Sequence, residues 1–275
     1  MKKKPKPSVI IGPDGKPVGG LQNAMMKAVG VQRPLVLAYL RRLRRKHPQH
    51  TAAELAKIVE RDYLLAVTGS GAAVGATAAL PVVGTVAALG FSAAATVGFL
   101  EASALYAQSL AELHGIAIED PDKARLLVMA ILLGDEGSSM ISALTHQVSG
   151  RGAGPVKGWA SMFGANKPAS LISSMQGGLQ RTFMKKMLTT QGASIMGRMV
   201  PFGIGAAIGG AGNRYLGKGV VQAAGLAFGT LPTSIPRQLL GEQELGAKNS
   251  ETEIMSELEA QIEAERTRRN QSSKR

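Results

Sequence analysis

Residues Tyr63–Leu100 decide the fold. They read YLLAVTGSGAAVGATAALPVVGTVAALGFSAAATVGFL, thirty-eight consecutive residues without a charge. As one straight helix rising about 1.5 Å per residue, the stretch would reach about 57 Å, nearly twice the apolar thickness of a bilayer. Pro81, followed by Gly84, argues against that, because a mid-helix proline removes a donor and clashes with the preceding turn. The expectation is a helical hairpin with arms over 64–80 and 82–100. Ala and Gly are weak membrane formers and each arm is short for a span. The arms therefore face lipid, other helices, or each in turn. Gly71 and Gly75, four residues apart, suit close helix packing in lipid or in a soluble bundle.

Helical patterns flank the hairpin on both sides. Upstream, RPLVLAYLRRLRRK (33–46) lines Leu35, Val36, Tyr39, Leu40 and Leu43 along one side and crowds Arg41, Arg42, Arg44, Arg45 and Lys46 on the remainder. Such a basic amphipathic helix either lies on a membrane surface or presents a solvated face beside a core stripe. Thr51-Ala-Ala-Glu54 matches a capping box and starts a helix that leads straight into the hairpin. Downstream, the second arm continues through EASALYAQSLAELHG to Gly115, a natural helix stop. Asp120-Pro121 then supplies an N-cap carboxylate before a first-turn proline, and Leu126–Leu133 is apolar nearly all round, as in a buried helix. Further helices are expected over 138–148 and 169–190, with a loop at 149–168 whose Trp159 and Phe163 dip into a core or a headgroup layer. A second Gly-rich stretch (195–229) carries Gly205-Ala-Ala-Ile-Gly209, an echo of Gly71-Ala-Ala-Val-Gly75, near Pro201. Two such hairpins can pack through their small faces.

Charge is segregated. Residues 1–46 carry twelve Lys/Arg against Asp14, residues 101–136 carry seven acids against two bases, and residues 137–240 hold ten Lys/Arg and no acid. A surface of this kind suits an anionic partner, a membrane leaflet or nucleic acid. The chain has no Cys, which removes disulfides, thiolate nucleophiles and Cys-based metal sites. No apolar run of signal-peptide type follows the basic N-terminus.

Signals for chemistry are thin. His114 with Glu112, Glu119, Asp120 and Asp122 is the one cluster suggesting a metal or a hydrolase. It lacks zinc-helix spacing, and Asp120 is explained by capping. No metal and no cofactor are expected. The glycine-rich runs lack GxxxxGK[ST] and the GxGxxG rhythm, so they are not read as phosphate loops. Nucleic-acid binding is disfavoured because no motif or stacking platform accompanies the basic residues.

Three segments together resemble a known family: Leu65–Gly75 with Leu80-Pro81, Ala111-Glu-Leu-His-Gly115 before Glu119-Asp-Pro-Asp122, and Val200–Gly209 with Asn213. In order and spacing they are similar to the EcsC family of bacterial proteins, in an actinobacterial-type branch, over roughly residues 50–230. His114, Gly115, Asp120 and Pro121 form the most specific part. The resemblance implies an all-α, membrane-associated protein and supplies no catalytic residues.

Together these readings give an all-α fold with a basic, largely disordered arm (1–32), a helical domain with two Gly/Ala-rich hairpins (33–240), and a charged tail (241–275). Within the tail, residues 251–269 form a short solvated helix open to a protein partner. The functional expectation is a non-enzymatic protein on the inner face of the cell membrane. It would hold anionic lipid with Arg41, Arg42, Arg44, Arg45 and Lys46, and acyl chains with the hairpin positions Gly71, Gly75, Pro81, Gly205 and Gly209. An integral or pore-forming hairpin and a lipid-acting hydrolase using His114 stand as alternatives.

Overall fold

A computed structural model of the chain describes residues 20–77, 85–137, 139, 177–187 and 204–240, without the side chains of 77, 85–92 and 204–208. The helices are α1 (Leu21–Ala28), α2 (Arg33–Lys46), α3 (Ala52–Thr77), α4 (Thr85–Leu113) and α5 (Pro121–Leu133), then α6 over 177–187 and α7 (Ile204–Phe228). A 3-10 turn at Arg237–Leu239 follows. The fold is all-α, with no strand among the described residues.

Helix α4 is the axis of the body, touching α1, α2, α3, α5 and α7. Every residue from Tyr106 to Leu113 is buried, which requires neighbours all round the helix. Local signals set its C-terminal end. Gly115 takes a positive φ of 75°, while Ile116 N–H donates to Ala111 O at 2.9 Å and Gly115 N–H to Glu112 O at 3.0 Å. That pair of bonds is a Schellman motif, and the buried Ile116 supplies its apolar contact. Asp120 then caps α5, its carboxylate accepting from Asp122 N–H at 2.8 Å with Pro121 in the first turn. All residues of α5 from Leu126 to Leu133 are buried, as its apolar sequence demands. Lys186 on α6 donates to Leu133 O at 2.6 Å, placing a cation on the carbonyl end of α5.

The hairpin is formed by α3 and α4, which are longer than the uncharged arms because each runs on into polar sequence. The capping box starts α3: Thr51 N–H donates to Glu54 Oε2 at 2.8 Å, and Glu54 N–H to Thr51 Oγ1 at 3.3 Å. The two arms are joined by a buried hydrogen bond between Tyr63 and Ser103. Ser103 Oγ donates to Phe99 O at 2.7 Å, which leaves the Tyr63 hydroxyl, 2.9 Å away, to donate to Ser103. Tyr63 also stacks on Tyr106 with ring centroids 4.7 Å apart. Burial holds both phenols well above the ordinary tyrosine range.

One expectation changes. The arm expected over 1–32 reaches too far into the body, because residues 21–28 form α1 and bury Leu21, Met25 and Ala28 on one side. Their helical spacing pays no heed to the Lys- and Gly-rich composition around them. The described part of the second Gly-rich stretch is one helix, α7, despite its glycines. Interior Gly costs a helix about 1 kcal/mol each relative to Ala, and packing along α3 offsets that cost. Pro81, residues 188–203, the helices expected at 138–148 (Ser139 apart) and 251–269, and Trp159 with Phe163 lie outside the described residues.

Candidate functional site

The two Gly/Ala stretches meet each other. Helices α3 and α7 pack along their length, and a Cβ built on Gly71 would overlap the carbonyl oxygen of Gly209 and lie 2.8 Å from Asn213 Cβ. A Cβ on Gly209 would in turn overlap Gly71 O and lie 3.4 Å from Gly75 Cα. Asn213 Nδ2 donates across the interface to Val67 O at 3.1 Å. Gly71, Gly75 and Gly209, expected against acyl chains, therefore face protein, because only hydrogen-sized side chains let these backbones touch. Gly205 lies in the first turn of α7.

The basic positions lie on α2. Val36, Leu40 and Leu43 are buried, so that part of the apolar stripe belongs to the core and is not offered to lipid, while Leu35, expected beside them, turns outward. The opposite arc exposes Pro34, Leu35 (62%) and Ala38 at its N-terminal half and Arg41, Arg42, Arg45 and Lys46 at its C-terminal half. Arg41 is tied down, donating through Nε and Nη2 to Gln238 O at 3.3 and 3.1 Å. Arg44 is half-buried and donates to His50 O at 3.0 Å. Among the described residues, no carboxylate forms an ion pair with Arg42, Arg45 or Lys46. These three cations fall within about 6 Å of helix rise.

None of the acids grouped with His114 in sequence is hydrogen-bonded to its ring. Glu112, 3% exposed, accepts from Arg33 Nε at 2.5 Å and from Gln238 Nε2 at 3.1 Å. This bond holds the guanidinium above its ordinary value, and Glu119 adds a longer ion pair to Arg33 at 3.6 Å. Asp120 caps α5, and Asp122 pairs with Arg125 at 2.6 Å. His114 Nδ1–H donates to Leu110 O at 2.8 Å, and its ring stacks on Phe228 at 5.1 Å. The cluster is a set of helix ends and a clasp, with no acid on the imidazole. No group of three or more potential metal ligands occurs among the described residues. The Arg33–Glu112–Gln238 clasp is not legible in sequence because its members lie 79 and 126 residues apart. One signal did exist: Glu112 falls inside an apolar helix, and a buried carboxylate requires a partner.

No described helix is long and apolar enough to cross a membrane. Compared with protein-family models, curated proteins and solved structures, the chain matches none.

Proposed function

We propose that this chain is a non-enzymatic, EcsC-like protein that docks peripherally on an anionic lipid surface through the outward arc of α2. The observation that carries the reading is the group Arg42, Arg45 and Lys46, exposed on a helix anchored by Val36, Leu40 and Leu43 and without acidic partners among the described residues. Basic residues near an anionic leaflet contribute about 1 kcal/mol each. The +11 charge of residues 1–46 supplies the longer-range attraction. Docking is read as peripheral because the glycine face of α3 is covered by α7 at Gly71 and the C-terminal part of α4, from Tyr106 to Leu113, is buried among other helices, while Leu65 on α3 stays exposed.

Vesicle flotation tests the reading. Full-length protein should float with phosphatidylglycerol-containing vesicles at moderate salt and stay down with purely zwitterionic ones. Failure to float with the anionic vesicles would overturn it.

A further inference from the structure

Helix α7 turns one side to α3 and presents the other to solvent, and the outward side carries large apolar groups. Tyr215 is 79% exposed and Leu226 62% exposed, with Leu216 on the flank at 42%. Tyr215 and Leu226 are eleven residues apart, about three turns, so they lie within about 20° of each other round the helix and about 16 Å apart along it. Between them, Gly219 and Gln222 are exposed and complete one ridge. A Cβ added at Gly212 or Gly219 would meet nothing within 4 Å. Exposed Arg214 and Lys218 flank the ridge on the side away from Leu216. Residues 204–240 contain no acid.

We propose that this ridge is the apolar contact by which the protein enters the headgroup boundary of an anionic leaflet, an inference that rests on the peripheral docking read from α2. Tyrosine suits the boundary because its ring is apolar and its hydroxyl stays wet. Arg214 and Lys218 lay their stems along the apolar layer and keep their charges at the lipid phosphates. The charge pattern selects this occupant over a second copy of the chain. A second copy docking through α7 would bring another acid-free basic helix against Arg214 and Lys218, with no carboxylate on either helix to offset them. The ridge also adds apolar area to the outward arc of α2, which offers Leu35 with Pro34 and Ala38 beside its charges.

The chain has no cysteine, so single probes are introduced directly. Tyr215→Cys, Leu226→Cys and Glu101→Cys proteins, labelled with the environment-sensitive fluorophore NBD, are mixed with phosphatidylglycerol-containing vesicles. The probes at 215 and 226 should blue-shift and brighten, and the probe at 101, on exposed α4 surface, should not. The Tyr215→Ser/Leu226→Ser protein should lose on the order of tenfold in vesicle partition with an unchanged thermal melt. If unlabelled protein floats but the 215 and 226 probes stay unshifted, the ridge assignment is overturned and the α2 reading stands. If nothing floats, both fall. An equal shift at 101, or a shift with protein concentration in the absence of lipid, also overturns the ridge assignment.

Discussion

Gly71 and Gly209 place the backbones of α3 and α7 in direct contact, each occupying the space where the other's Cβ would stand. Gly71→Ala and Gly209→Ala should each destabilise the fold. Overpacking costs about 1–3 kcal/mol, and the helix propensity gained from Ala offsets about 1 kcal/mol of it. Gly212→Ala and Gly219→Ala, where the space is open, should stabilise by about 0.5–1 kcal/mol. Urea denaturation followed by circular dichroism should show the two pairs moving in opposite directions.

The Arg33–Glu112 clasp closes α2 onto the end of α4. Arg33→Met should cost about 3–5 kcal/mol by leaving a buried carboxylate without its cation, towards the lower figure because Gln238 still donates to it. Arg33→Met/Glu112→Leu should recover much of that loss, since the double variant leaves no buried charge. A double-mutant cycle measured by urea denaturation checks this: additive costs would show that the pair is not coupled.

Three of the four tyrosines resist ionisation. Burial raises Tyr39, Tyr63 and Tyr106, and for Tyr39 the Asp62 charge adds to it. The folded state keeps these phenols protonated, so their contribution is fully present below the unfolded tyrosine value of about 10 and is lost as pH rises above it. Ultraviolet titration should show a phenolate step delayed until it coincides with loss of helical circular dichroism. Ionisation of all four in the intact fold near pH 10 would contradict the burial.

Charge removal on α2 should act on lipid binding and not on folding. Arg42→Ala/Arg45→Ala/Lys46→Ala should weaken partition into anionic vesicles on the order of 100-fold, at about 1 kcal/mol per residue. The melt should stay unchanged, because all three side chains project into solvent. The residual binding should depend less steeply on salt than that of the parent protein, measured by co-sedimentation across an ionic-strength series.

Sequence alone determined what is encoded within a few turns. The capping box at Thr51, the N-cap at Asp120, the stop at Gly115, the buried run from Leu126 to Leu133 and the all-α class all follow from local spacing and backbone chemistry, which need no distant partner. It also marked the Gly71 and Gly209 stretches as close-packing elements, because a small-residue pattern reports how near another backbone can come. Tertiary structure decided what those patterns meet. The two glycines meet each other, Val36, Leu40 and Leu43 of α2 face the core while Leu35 does not, and Glu112 finds Arg33 from 79 residues away. An apolar or charged pattern states that a face must be satisfied, and only the packed chain selects among protein, water and lipid.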